Sequence, residues 1–136
     1  MKRILIAAAL LTAASVAQAA GPADHDAAAK AAGGWLAVVD SGKYADSWQQ
    51  ASPSFQRGES QAAWEQALQT VRTPLGKLMK RELADAQYTT TLPGAPDGQY
   101  WVLHEKTTFE HKASAVETVI LVPADNTWKV AGYFIR

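Results

Sequence analysis

Residues 99–136 read QYWVLHEKTTFEHKASAVETVILVPADNTWKVAGYFIR, and this C-terminal stretch decides the fold. Apolar and polar side chains alternate through it, and Thr, Val, Ile, Tyr and Trp are frequent, as in β-strands. Short turn-forming segments divide this stretch and the residues before it into four predicted strands: 83–92, 99–110, 115–122 and 127–136. Because all the connections are short, the strands are expected to form an antiparallel meander.

Upstream of the strands, apolar residues recur at three- and four-residue spacing, which predicts helices. Asp24 is suited to cap the first helix, and Gly42 is suited to end it. Ser52-Pro53-Ser54 is expected to end the second helix, and Ser60 to cap the third. The first predicted helix starts near Asp24, has helical spacing from Ala28 to Val39 and stops at Asp40-Ser41-Gly42. The other two cover 43–51 and 60–72, the last with a short continuation over 74–80. The fold class is therefore α+β, with about three N-terminal helices packed on a curved four-stranded antiparallel meander.

The alternation assigns the strand residues to two faces of the sheet. The sides that carry Trp101 and Trp128 are expected to cover the helices, because large side chains gain most from burial. The opposite face is then left with an apolar patch: Tyr100, Val102, Tyr133 and Ile135. Such a patch favours a homodimer, a contact with another protein, or coverage by the N-terminal leader.

The first residues have the pattern of a secretory signal peptide. Lys2 and Arg3 precede a short apolar run, and Ala17-Gln18-Ala19 is a small-x-small cleavage site. The run is shorter than the roughly 20 apolar residues that span a bilayer. The expected organisation is a signal peptide over 1–19, a flexible or helical leader over 20–34, and one α+β domain over 35–136. The mature protein is thus expected in the periplasm or secreted, without a transmembrane segment.

Composition excludes several classes of function. The chain has 13 basic and 13 acidic residues, whereas nucleic-acid binders normally carry a basic surplus. It has no cysteine, so it lacks a thiol nucleophile, a disulfide framework and a thiolate metal site. The three histidines do not form a ligand pattern with nearby carboxylates, because alternation separates His104 from Glu105. Neither a metal site nor a cofactor is expected.

No catalytic motif is present, and no catalytic residue is assigned. Glu117, between Val116 and Val119, is the best candidate for a carboxylate in an apolar setting. If it faces the helices, it needs a partner such as Arg72 or Tyr88; otherwise it is a solvent-facing residue or part of a structural ion pair. The aromatic residues either form the core or line a cleft. The candidate ligand-binding residues are Glu117, Tyr88, Trp48 and Trp101.

The mature chain resembles the exported bacterial domain-of-unknown-function 4019 family over nearly its whole length. The resemblance rests on motifs spread along the chain: Trp35-Leu36 with Asp40-x-Gly42-x-Tyr44-x-x-x-Trp48, Trp64-x-x-x-Leu68-x-x-x-Arg72-x-Pro74-Leu75-Gly76, Leu92-Pro93-Gly94-Ala95-Pro96-Asp97-Gly98, Lys112-Ala113-Ser114-Ala115-Val116-Glu117-Thr118 and Trp128-x-Val130-x-Gly132-Tyr133. It implies a compartment and a domain type. More distantly, the element order is similar to the nuclear-transport-factor-like, or cystatin-like, α+β cone, a fold that hosts many functions.

These observations favour a small non-enzymatic module of the cell envelope that binds a ligand or another protein. Two alternatives remain at this point. One is an enzyme that uses a cone-shaped pocket for general acid–base catalysis, with Glu117 as the base. The other is a structural homodimer joined through the outer face of the sheet.

Overall fold

The computed structural model describes residues 22–136, so the predicted signal peptide and its cleavage site lie outside the described residues. Four α-helices and one 3₁₀ turn precede a four-stranded antiparallel sheet, which confirms the predicted α+β class. The helices are α1 (Pro22–Asp40), α2 (Tyr44–Gln49), α3 (Pro53–Gly58) and α4 (Gln61–Val71), followed by the 3₁₀ turn Thr73–Leu75. The strands are β1 (Leu78–Thr89), β2 (Tyr100–Phe109), β3 (Lys112–Ala124) and β4 (Thr127–Ile135), in that order across the sheet.

The helix ends follow local capping chemistry. The hydroxyl of Ser60 accepts from the Ala63 N–H at 3.2 Å at the start of α4, which confirms the predicted cap. Gly42 adopts φ +76° just after α1, as its predicted role requires. The expectation that Ser52-Pro53 only breaks a helix is wrong, because Ser52 caps α3 and Pro53 occupies its first turn. Serine followed by proline fits a helix start as well as a helix end.

The chain leaves the helical layer earlier than the sequence predicts. Pro74 lies in a single 3₁₀ turn, and β1 begins at Leu78 in place of a helix that continues to Lys80. Gly76 has φ +76°, and a Cβ there would lie 2.9 Å from side-chain atoms of Glu110 and His111. The close approach of the β2–β3 turn therefore requires glycine at this position. The helical segment ends here, and Arg81 lies in β1.

The sheet is a simple meander, as predicted. Asp125 and Asn126 form the β3–β4 turn with φ of 52° and 60°. Positive φ at both central residues is the geometry of a tight hairpin turn, and Asp and Asn tolerate it better than most residues. The longer β1–β2 loop lies against Tyr100, whose hydroxyl donates to the Pro96 carbonyl at 2.5 Å.

An irregularity in β4 overturns the predicted assignment of its faces. Ile120 pairs with Gly132 whereas Leu121 pairs with Val130, so Ala131 is an extra residue, a bulge. A bulge shifts the alternation by one residue, and residues beyond it change face. Tyr133 is consequently buried with Val130 in the core, and Phe134 points outward, 59% exposed. The predicted outer patch is therefore wrong for Tyr133 and for Ile135, which packs on the core.

The core lies between α1, α4 and the inner face of the sheet. In α4, Trp64 and Leu68 are buried, whereas Val71 is half exposed. The buried members of the core are as follows: Ala28, Ala32, Trp35, Leu36, Val39, Trp64, Leu68, Trp101, Leu103, Val119, Leu121, Val130 and Tyr133. None of the helices within residues 22–136 has the length and apolar character needed to cross a bilayer.

Candidate functional site

The structure separates the four residues predicted to bind a ligand. Tyr88 and Trp101 are cross-strand neighbours with ring centroids 5.7 Å apart. Trp48 lies on α2 and donates its indole N–H to the Glu59 carbonyl at 2.7 Å. This bond connects α2 to the junction between α3 and α4. Glu117 lies on β3 opposite Glu105, away from these rings. The four residues do not form one site.

Glu117 is fully buried, and its carboxylate receives four hydrogen bonds. Oε1 accepts from Arg81 Nε at 2.7 Å and from the Thr107 hydroxyl at 2.6 Å. Oε2 accepts from Arg81 Nη2 at 3.1 Å and from the Tyr133 hydroxyl. A carboxylate offers about four lone-pair positions, and here all of them are used. The sequence suggested Arg72 or Tyr88 as the partner, and neither residue bonds Glu117. Glu117 also has no free lone pair to accept a substrate proton.

Arg81 joins Glu117 to the end of α1. Its Nη1 and Nη2 donate to the two oxygens of Asp40 at 2.7 and 3.0 Å. Arg72 donates to Asp40 at 3.3 Å and to the Gly76 carbonyl at 2.6 Å, and its guanidinium stacks over Phe109 at 4.4 Å. We call Asp40, Arg72, Arg81 and Glu117 the buried charge network. It connects the C-terminal ends of α1 and α4 to the sheet.

The electrostatic consequences fit a structural role. Burial opposes the charge of Arg81, but the hydrogen bonds and attraction of Asp40 and Glu117 outweigh it, so the pKa of the guanidinium is raised. Burial and the adjacent charge of Glu117 raise the pKa of the Tyr133 hydroxyl, which remains a donor. An ion pair of this kind specifies how the elements meet, and loss of one partner leaves a buried charge uncompensated.

Glu105 differs from its cross-strand neighbour Glu117. It is 7% exposed, and its side chain has no hydrogen bond or salt bridge within residues 22–136. Burial raises the pKa of Glu105; the nearby Arg81 charge opposes this effect, and the Glu117 charge adds to it. The network thus supplies hydrogen bonds to Glu117, whereas burial raises the pKa of the adjacent Glu105.

A wide concavity lies elsewhere, between α1, the C-terminal end of α2 and the first half of β4. We call this the α1–β4 cleft; its volume is about 760 Å³. It is open to solvent and combines cations, amides and indoles. The lining residues are Ala27, Lys30, Ala31, Gly34, Trp35, Gln49, Gln50, Thr127, Trp128, Lys129 and Val130.

A glycine in the middle of α1 contributes to the open volume of this cleft. Gly34 lines the cleft, and its predecessor Gly33 does not. A Cβ built at either position would meet nothing within 4 Å, so neither glycine is needed for a close contact between elements. Each glycine nevertheless costs the helix about 1 kcal/mol relative to alanine. At Gly34, the missing side chain leaves open space at the wall of the cleft.

Sequence reasoning did not find the cleft-lining residues. Lys30 and Trp128 are distant in the chain, and no local motif links them. The pair Gly33-Gly34 is a usable local signal, but on sequence alone it fits a close approach between elements or a flexible leader equally well. Within the part of the chain that the structure describes, no group of three or more His, Asp or Glu side chains could hold a metal ion.

Comparison with known proteins now adds a family. The family model described as "Protein of unknown function (DUF4019)" matches residues 31–133, which is most of the chain, so the protein belongs to this family. No curated protein gives a significant match. The matched range includes every member of the buried charge network and most of the α1–β4 cleft.

Proposed function

We propose that this member of the DUF4019 family is a non-enzymatic binding module of the cell envelope, and that the α1–β4 cleft is its ligand site. The observation that carries the proposal is Gly34, where a helix interior lacks a side chain at the wall of the α1–β4 cleft. Clefts of about 300–1,000 Å³ with an aromatic lining and a few polar groups are the usual form of small-molecule sites. The cleft has this size and this lining.

The contrast with Glu117 supports binding over acid–base catalysis. A catalytic base needs a free lone pair within reach of a substrate proton. The four donors around Glu117 occupy its oxygens, and its side chain is fully buried. The space between the helices and the sheet is filled at this point by the buried charge network and Phe109, which leaves the acid–base alternative without a substrate pocket around Glu117.

Export to the envelope is the second part of the proposal. It is supported by the basic start, the short apolar run and Ala17-Gln18-Ala19. Intact mass of the protein from a periplasmic or culture fraction tests it, with cleavage after Ala19 as the expected result. A mature protein that still carries residues 1–11 would overturn the assignment.

We also propose a distant relationship to nuclear-transport-factor-like cones. Ligand binding, and not self-association, is proposed as the main function. Helices followed by a four-stranded meander support the relationship. On the outer face, Phe134 is 59% exposed, and Tyr133 no longer contributes to the patch on which a homodimer was predicted. A concave site favours a small ligand over a second protein chain.

Nuclear magnetic resonance tests the binding site even while the ligand is unidentified. A library of small polar compounds is titrated into ¹⁵N-labelled protein, and the amide shifts are mapped. We expect the responding compounds to shift Gly34, Gln50 and residues 127–130 together, and to leave Arg81 and Glu117 in place. Compounds that bind elsewhere, or a library with no response in the cleft, would contradict the proposal.

A further inference from the structure

We infer that the α1–β4 cleft takes an acidic oligosaccharide, an inference that rests on the proposed function. The first reason is charge. Lys30 on α1 and Lys129 on β4 line the cleft, and none of its lining residues is acidic. The whole chain has as many acidic as basic residues, so a lining with two cations and no anion is a local departure from the balance. A cleft lined by charges of one sign attracts ligands of the opposite charge.

Lys129 is available to such a ligand. Its ammonium lies 3.2 Å from the carboxylate of Asp125, whose side chain is 81% exposed. Exposed ion pairs of this kind contribute little, because water and salt screen them. A ligand carboxylate in the cleft would therefore compete with Asp125 for Lys129. Lys30, on α1, would form a second ion pair with the ligand.

The second reason is the set of neutral polar groups. Gln49 and Gln50 contribute carboxamides at the end of α2, and Thr127 contributes a hydroxyl from β4. Amides and hydroxyls both donate and accept, as do the hydroxyl groups of a sugar. The amide of Gln49 is only weakly engaged, at 3.5 Å from Gln61 on the exposed surface.

The third reason is the apolar wall. Trp35 and Trp128 both line the cleft. Trp35 is 4% exposed and its indole N–H donates to the Ser47 carbonyl at 2.8 Å, so it forms the floor of the cleft, and the partly exposed Trp128 supplies the aromatic surface. Aromatic surface beside polar groups suits a ring with an apolar C–H face and polar edges. A sugar ring has this character, and a simple anion such as phosphate does not.

The shape selects an oligomer. A volume of about 760 Å³ exceeds what one sugar ring fills, and the cleft is open to solvent. An open cleft accepts a segment of a longer chain without enclosing its ends. Acidic sugar units then place carboxylates near the lysines while a ring lies against Trp128.

Isothermal titration calorimetry with three matched ligands tests the inference. The probes are trigalacturonate, the neutral trisaccharide maltotriose, and triglutamate as an acidic peptide. We expect trigalacturonate to bind at least about tenfold more tightly than the other two, and to weaken as sodium chloride increases. Equal binding of maltotriose would overturn the acidic requirement. Equal binding of triglutamate would overturn the sugar.

Lysine variants locate the charge recognition. Lys30→Gln and Lys129→Gln should each weaken trigalacturonate binding about five- to tenfold, as expected for loss of a charge-assisted hydrogen bond. Lys106→Gln, an exposed lysine of β2 that does not line the cleft, is the control and should bind as the wild type does. An unchanged affinity in both cleft variants would overturn the inference.

The two proposals fail in different ways. If trigalacturonate does not bind while other compounds shift the cleft amides, the ligand class is wrong and the binding site stands. If trigalacturonate binds but shifts amides outside the cleft, both are wrong.

Discussion

Helix α1 contributes to both the buried charge network and the α1–β4 cleft, but the polar groups differ in their partners at the two places. At Asp40, the C-terminal end of α1, the charges are paired within the protein and mostly buried. Between Ala27 and Trp35, the same helix lines an open volume beside Lys30 and Lys129. A buried carboxylate whose oxygens all accept hydrogen bonds within the protein therefore indicates a structural role. Polar groups that line an open cleft indicate a ligand site.

The largest effect should follow from breaking the network at Arg81. Arg81→Met leaves Asp40 and Glu117 without their main partner, so the free energy of unfolding should fall by about 3–5 kcal/mol. Urea unfolding measures it, with the exposed neighbour Lys80→Met as the control, expected within about 0.5 kcal/mol of wild type. A loss below about 1 kcal/mol at Arg81 would show that the network is not structural.

A smaller effect should follow from removing one donor. Tyr133→Phe deletes the buried hydroxyl that donates to Glu117, and the expected loss is about 1–3 kcal/mol. Tyr44→Phe is the matched control, because its hydroxyl bonds Thr73 at 2.8 Å on the exposed surface. If the two variants lose the same stability, the buried hydroxyl has no special role.

Glu105 gives the stability of the fold a pH dependence. Because burial raises the pKa of Glu105 in the folded state, the folded state holds this proton more tightly than the unfolded chain does. Its contribution to stability is therefore full below the usual value near 4.5 and is lost as the pH rises through the raised pKa. Glu105→Gln should flatten this decline, as measured by urea unfolding at a series of pH values.

The exposed Glu82→Gln, from β1, controls for the loss of one negative charge. It should leave the pH dependence as in the wild type. A Glu105→Gln profile that is parallel to that of the wild type would show that Glu105 ionises normally in the folded protein.

The smallest effect concerns the cleft. Gly34→Leu and Gly33→Leu should each stabilise the protein by up to about 1 kcal/mol, because leucine is the better helix former and a Cβ at either position meets open space. Thermal unfolding measures the gain. Destabilisation at Gly34 alone would mean that its position is constrained by packing and not by a ligand.

The sequence was sufficient for the fold class because strand alternation and helical spacing are local signals. The phase of β4 was not predictable in this way, since the bulge at Ala131 depends on how β4 pairs with β3. The same limit applies to Arg81. The predicted helical continuation over 74–80 ends just before Arg81, whereas in the structure β1 begins at Leu78 and includes Arg81.

The candidate site shows the same division. Glu117 was correctly singled out as a carboxylate that, when buried, needs a partner, because its flanking valines are visible in the sequence. Its partners were not visible, because Tyr133 comes to it only through the bulge. The cleft was not predicted at all, since its walls come from α1, α2 and β4 and only the glycine pair marked it locally.

The measurement that tests the central claim most directly is the affinity of Gly34→Leu beside that of Gly33→Leu for a ligand that binds the wild type. Both variants add the same side chain at an open position of the same helix, but only Gly34→Leu projects from the wall of the cleft. We expect Gly34→Leu to lose binding by about tenfold or more, at unchanged or higher stability, and Gly33→Leu to keep it. Equal affinity in the two variants would contradict the assignment of the cleft as the binding site.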